Sequence, residues 1–282
     1  MINSKILMSG ADFFANDAHI NPYYADDLID IPRACSEHTA IREAFSSAGI
    51  EVVQVPAPTS CQDGVYTANW GLVHEGKVIL SRLPNARKDE EPYAKKTLDE
   101  LGYETISVPD DWRFSGQGDS LPCGKFLLAG SGYRSDPRAQ KFVADTFGLE
   151  LVQLQAIPEL DENSNPVTNA SSGWPDSFFY DIDLAISVIN ENLIAYCPGA
   201  FTTESQAIIK GLPLEKIEVS FEEAQKGFAC NLVSTSEVVI MSANAPRLKS
   251  ELEKRGLKTI TPDVTELKKG GGYIRCVSLT LS

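Results

Sequence analysis

Residues 65–73 read VYTANWGLV. They are followed by a turn at Glu75-Gly76, a second apolar stretch KVILSRL (77–83), a helix-like segment closing at Leu101-Gly102 and a third strand, YETISVP (103–109). This order of strand, strand, helix, strand decides the fold because it returns. From Arg113 it reads RFSGQGDSL, KFLLAGSG, a helix from Pro137 to Phe147 closed by Gly148, then LELVQLQ. A third copy begins at Phe178 with FFYDIDLAISVI and continues through LIAYCPG, a helix over SQAIIKGL and the strand KIEVS. A fourth runs FACNLVS, EVVIMSA, PRLKSELEKRG and LKTITPD from Phe228. The fifth is split: YIRCVSLTL (273–281) supplies its first strand, and KILMSG (5–10), a helix over Pro32 to Ala48 and EVVQVPA (51–57) supply the rest. Five ββαβ units of this kind predict an α/β fold, a five-bladed propeller with pseudo-fivefold symmetry, closed into one domain over residues 1–282.

Punctuation along the chain agrees. Gly49, Gly102, Gly148 and Gly256 lie just beyond the last apolar turns of the helices, and Pro32, Pro137 and Pro246 suit first-turn positions. Such a ring points its first strands at a common axis, where polar side chains are costly to bury without partners. Asp63, Asn69, Asp119, Asp181, Asp183, Asn231 and Cys276 fall at roughly equivalent inner positions. Taken singly, Asp63, Asp119 and Asn231 read as turn caps; taken together, the set reads as a built site. The segment PELDENSNPVTNASSGWPDS (158–177) lacks periodicity and reads as a surface loop, placed where it could also cover the site.

The 282 residues carry 39 acidic against 25 basic side chains, a net charge of −14. That balance argues against nucleic-acid and anionic-membrane partners and suits a small cationic substrate. The opening MINSKILMSGADFF reads as neither a secretory signal nor a spanning helix, so a cytoplasmic location is expected. The six cysteines are scattered, with no CxxC pair, and read as reduced thiols, mostly small buried residues. Neither a cofactor nor a metal is expected, since Asp181 and Asp183 alone make a weak ligand pair. A small molecule is the expected partner, with a homodimer left open.

The run GGGYIRC (270–276) resembles the nucleophile motif of the guanidino-group-modifying enzymes, the pentein superfamily. DFF with INPYY (12–24), QDGVYTANWGLV (62–73), VILSRL, EEPY, the F-x-G-x-G-D run ending at Asp119, GYRSD, CPGAF and FACN carry the same resemblance over nearly the whole chain. The pattern is similar to the arginine dihydrolase and dimethylargininase branch. The resemblance implies a five-bladed pentein propeller and a set of roles. Cys276 would be the nucleophile, Asp63 and Asp183 the carboxylates that grip a guanidinium, and Asn21 and Asn69 the amides of the dihydrolase variant. Arg87 and Arg134 match positions that hold the amino-acid carboxylate. A guanidinium is flat, cationic and resonance-stabilised, so its carbon becomes an electrophile only when carboxylates orient it beside a thiolate. Read without the glycine run, Cys276 is a buried core cysteine, and Arg87 and Arg134 are solvated surface residues.

Two positions depart from the pattern. The resemblance leads one to expect a histidine where Asp181 stands and a glutamate where Ser115 stands, both proton-handling positions. Of the three histidines, His38 reads as an exposed helix-start residue, His74 as a hairpin residue, and His19 as a loop residue two positions before Asn21, in a loop that could also bring its imidazole to the site. Asp181 can transfer protons if neighbouring carboxylates raise its pKa, and the Asp-Ile-Asp spacing places Asp181 and Asp183 on one face of a strand. The expected activity is hydrolysis of a C–N bond in an arginine-like compound through a Cys276 adduct. The alternatives are amidino transfer, altered amidine or amide chemistry on the same scaffold, and a catalytically silent binding protein.

Overall fold

The computed structural model describes residues 2–25 and 27–282. β1 (Lys5–Met8), α1 (Ile31–Ser47) and β2 (Glu51–Gln54) come first. The first complete unit is β3 (Gly71–His74), β4 (Lys77–Leu80), α2 (Glu90–Glu100) and β5 (Glu104–Ser107). The second is β6 (Ser120–Cys123), β7 (Phe126–Gly130), α3 (Pro137–Phe147) and β8 (Glu150–Leu154). The third is β9 (Ile186–Asn190), β10 (Leu193–Tyr196), α4 (Thr203–Gly211) and β11 (Glu215–Glu218), trailed by the short α5 (Phe221–Gln225). The fourth is β12 (Val233–Ser234), β13 (Val238–Ile240), α6 (Pro246–Lys254) and β14 (Lys258–Ile260), and β15 (Leu279–Thr280) ends the chain.

Each unit forms a three-stranded sheet in which the first pair is antiparallel and the third strand returns parallel after the helix, as a tight hairpin followed by a helical crossover requires. The fifth sheet, β15-β1-β2, joins the two ends of the chain, with Leu7 opposite Leu279 and Leu7 beside Val53. Around the axis β15 lies against β3, β6 against β9 and β9 against β12. No ladder joins one sheet to the next among the described residues. Neighbouring units meet by side-chain packing and isolated bridges such as Arg82–Phe114 and Ala156–Phe201.

The helices lie outside, each burying one stripe. α1 buries Ala34, His38, Ile41 and Phe45, the three- and four-residue spacing of an amphipathic helix. The expected helix ends hold: Gly49, Gly102, Gly148 and Gly256 all adopt positive φ, and Asp136 caps α3 through the Arg138 amide. His38, expected to be exposed, is 3 % exposed, because the helix turn that carries it faces the core. Burial, with Arg42 adding to it, lowers its pKa to about 4.

The inner segments differ from the reading as long strands. Thr67–Trp70, Gly116–Gly118 and Ile182–Leu184 are 3-10 turns, and the true strands begin only after them. Near the axis the backbone has no partner strand on its inward side, so its polar groups pair locally, as in Asn69 N to Tyr66 O and Leu184 N to Asp181 O. Asp181 and Asp183 therefore do not share a strand face. Asp181 is extended at the start of the turn, Asp183 lies within it, and the two side chains take different partners. The 158–177 segment is irregular and largely exposed, held by bridges at Leu160–Pro166 and Thr168–Pro175.

Candidate active site

The chain reaches Cys276 through its glycine run for steric reasons. Gly271 has φ +85, and a Cβ there would stand 2.6 Å from Asn21 Oδ1; a Cβ on Gly272 would stand 2.4 Å from the Tyr66 ring. Tyr66 and Tyr180 donate to the Leu267 and Gly271 carbonyls, and Asn21 Nδ2 donates to the Gly270 carbonyl at 2.9 Å. The turn so fixed buries Cys276 to 3 % exposure. Asn231 then grips the residue from both sides, its Oδ1 accepting the Arg275 and Cys276 amides and its Nδ2 donating to Sγ at 3.1 Å. Sγ in turn lies 3.5 Å from Asp183 Oδ2, within donor range for a thiol.

Burial, and next the Asp183 carboxylate, push the Cys276 thiol well above its ordinary range. Asp183 is itself pushed well up by burial and by Asp181, against the lowering pull of Arg275. The resting sulfur is therefore a thiol beside an acidic group, and a cation placed between them would favour the ionised form of both.

A second group of side chains surrounds Asn69. Its Nδ2 reaches Asp181 Oδ2 at 2.8 Å and Ser115 Oγ at 3.0 Å, and its Oδ1 accepts Arg87 Nη1 at 2.7 Å. Arg87, far from being solvated, is 4 % exposed and forms a two-point pair with Glu90, Nε to Oε1 at 2.8 Å and Nη2 to Oε2 at 2.7 Å. Its fork is thus engaged by Glu90, Asn69 and the Asp63 and Tyr66 carbonyls. Arg134 is also buried; its guanidinium lies 4.5 Å over the Tyr180 ring and donates to the Ile20 carbonyl at 2.6 Å.

Asp63, 1 % exposed, accepts from the Tyr24 hydroxyl and from Gln62 Nε2. Burial raises its pKa while Arg87 opposes the rise. Asp119 accepts the Ile182 amide on Oδ1, and its Oδ2 has no partner among the described residues; the same is true of Asp181 Oδ1 and Asp183 Oδ1. Burial, reinforced by Asp181, holds Asp119 at about 8. Asp181 is raised by burial, with Arg134 and hydrogen bonds from Ser115 and Asn69 working against it. Among the described residues no group of three or more His, Cys, Asp or Glu is arranged to hold a metal ion.

Of the expected site residues, then, Cys276 and Asp183 touch directly. Asn69, Ser115, Asp181 and Arg87 form one hydrogen-bonded set, and Asn21 braces the glycine run. His19 stacks on Tyr24 with ring centroids 5.5 Å apart, one ring removed from Asp63. The sequence reading did not assign roles to Tyr24, Glu90 or Arg275. Glu90 had a signal, since it stands three residues after Arg87, the spacing of a helical ion pair.

Residues 11–281 match the family model described as N,N-dimethylarginine dimethylhydrolase, eukaryotic. The chain belongs to this family. Other similarities of this dimethylarginine dimethylhydrolase family member run the same way. The bifunctional arginine dihydrolase/ornithine cyclodeaminase ArgZ of Synechocystis is 30% identical over 99% of the chain, which spans only 38% of that protein's length. The N(G),N(G)-dimethylarginine dimethylaminohydrolase of Mycobacterium tuberculosis is 28% identical, covering 98% of this chain and 85% of that one. A solved structure of a variant ArgZ N-terminal domain, covalently bonded to a reaction intermediate, superposes with a TM-score of 0.88 at 29% identity, covering 99% of this chain and 97% of that one.

Proposed function

We propose that this chain is a hydrolase that cleaves a C–N bond of an arginine-like guanidino compound through a covalent bond to Cys276. The observation that carries the reading is the contact between a buried thiol and a buried carboxylate, Cys276 Sγ to Asp183 Oδ2 at 3.5 Å. A guanidinium laid between Asp183 and Asp63 supplies the missing positive charge, ionises the thiol and presents its carbon to the sulfur. Asn21 and Asn69 fix the walls of that slot, and Asp119 and Ser115 set the surroundings of Asp181. Arg134 is the cation we assign to the substrate's carboxylate. Arg87, already matched by Glu90, contributes its remaining donor capacity and holds Asn69 in place. We read the chain as a single pentein domain over residues 1–282, in keeping with the sheet that unites its two ends.

Asp181 takes the work of the expected imidazole. Two buried carboxylates whose pKa values are both raised retain a proton near neutrality, and that proton is given to the departing amine as the C–N bond breaks. The bond from sulfur to carbon replaces it, leaving an amidino-thioether cation. In the second half water adds its oxygen to that carbon and the C–S bond breaks with its electron pair going to sulfur. One proton returns to Asp181 and the other restores the Cys276 thiol, whose own proton has left with the departing amine as its ammonium ion. The covalent intermediate seen in the related ArgZ domain supports this order.

The test is turnover. Arginine, N-methylated arginines, agmatine and guanidinoacetate are offered in turn, and release of ammonia or methylamine is measured with the matching ureido product. The wild-type protein is expected to convert at least one of them and Cys276→Ser none. Equal conversion by both proteins would overturn the reading.

A further inference from the structure

A cavity of about 380 Å³ lies on the axis of the ring. Val73, Leu121, Ile186, Leu232 and Leu281, one residue from each unit at or beside its first strand, form its wall. Along β3 the chain leaves the site at Asn69 and runs to the hairpin turn at Glu75-Gly76, and that turn lines the cavity's mouth. No residue of the 12–24 loop lines it. The cavity therefore approaches from the face opposite the loop that carries Asn21 and Tyr24, and its floor is Asp183, Cys230 and Arg275. These three flank the nucleophile: Asp183 touches its sulfur, Arg275 precedes it, and Cys230 precedes the Asn231 that grips it.

We propose that this axial cavity delivers the hydrolytic water to the carbon bound to Cys276, independently of the face that holds the organic substrate. The inference rests on the covalent reading above. On the loop side Asn21 is 4 % exposed, and the Tyr24 hydroxyl sits on Asp63, so the organic part of an intermediate fills that side and shields the carbon from it. On the cavity side the chemistry changes with depth. The wall is mostly aliphatic, with a few polar side chains such as Ser187, which disfavours ions and lets a small neutral molecule pass. The floor is polar. Asp183 bears a buried Oδ1 with no partner among the described residues, an acceptor in want of a donor. Arg275 is bound by neutral oxygens, Gln117 Oε1 at 2.8 Å and Thr280 Oγ1 at 2.7 Å, which keeps its cationic fork beside the floor without an ion-pair partner among the described residues. A water arriving there donates to Asp183, bonds through oxygen to the amidino carbon and displaces the sulfur. Its two protons go to Asp181 and to the Cys276 sulfur.

The test separates the two halves of the reaction. Val188 lines the cavity on β9, half-buried and away from the sulfur, and Val188→Trp plugs it; Pro122→Phe does so from β6. In rapid-quench mass spectrometry with the substrate that turns over, the plugged variants are expected to form the Cys276 adduct at the wild-type rate. Its breakdown should be slower by about tenfold or more, so that adduct accumulates, while Val188→Ala keeps wild-type kinetics. Circular dichroism checks that the variants fold, and the second plug, on another sheet, repeats the test if the first does not. Wild-type breakdown rates in a folded plugged variant would overturn the channel and leave the covalent reading standing. Absence of any adduct in the wild-type protein would overturn both.

Discussion

In the proposed mechanism Asp181 and Asp119 hold between them the proton on which the first half-reaction depends. Asp181 Oδ2 is tied to Asn69, while Asp181 Oδ1 and Asp119 Oδ2 are buried without partners among the described residues. An unsatisfied buried carboxylate oxygen is tolerable when the group is protonated and costly when it is charged. Asp181→Asn keeps the shape and removes the titrating group. Turnover is expected to fall about 10²–10⁴-fold, the range of general acid–base catalysis, and an unchanged kcat would remove Asp181 from the chemistry. Asp119 can be followed through stability. Its folded pKa of about 8 stands above the ordinary carboxylate value of 3.8, so between the two the native state holds a proton that the unfolded chain has lost. The stabilisation is therefore fully present below the lower value and drains away as pH rises toward the upper one. Urea midpoints are expected to fall for the wild-type protein from pH 5 to pH 8 and to flatten in Asp119→Asn; parallel profiles would contradict the assignment.

At the scale of elements, the site is a set of turns held by side chains from elsewhere. The segment that leads into the glycine run is tied to α1 through Glu37, whose carboxylate accepts the backbone amides of Thr265, Glu266 and Leu267. Glu37→Ala strands those amides and is expected to cost about 2 kcal/mol or more of stability by denaturant titration; a loss within the noise of a surface mutation would refute the tie. The sequence shows at Glu37 only the i,i+4 pair with Arg33; its tie to the glycine-run segment is not announced, because those partners lie 228 residues away in the case of Thr265. The helices themselves were legible, since three-to-four-residue apolar spacing with glycine and proline punctuation is a local signal. α3 runs over 137–147 as expected, and α1 falls one residue from its expected bounds. The 3-10 turns at TANW, GQG and IDL were not legible. Their residues alternate like strand residues, and what bends them is the lack of a partner strand at the axis, a fact of the assembled ring.

For the molecule as a whole, the ring was readable because five similar units recur, and closure was readable because the fifth was missing its first strand at one end and carried it at the other. The sheet β15-β1-β2 is that closure, and it anchors the Cys276 segment to the start of the chain through Lys5 and Leu281. What the repeat could not tell is how the centre is charged. Asp63, Asp119, Asp181 and Asp183 converge from three units, and the buried arginines nearby are matched by Glu90, a tyrosine ring or neutral oxygens. In the proposed function such a centre is completed by a flat cation from outside. No helix among the described residues is long and apolar enough to cross a membrane. The deciding step is the bond between the sulfur of Cys276 and the carbon of that cation. Intact-protein mass spectrometry of acid-quenched mixtures with arginine and methylated arginines tests for it directly. The expected result is a mass increase equal to the substrate less its departing amine, located on Cys276 and missing from Cys276→Ser; turnover with no such species at any quench time, or the same increase in the serine variant, would contradict it.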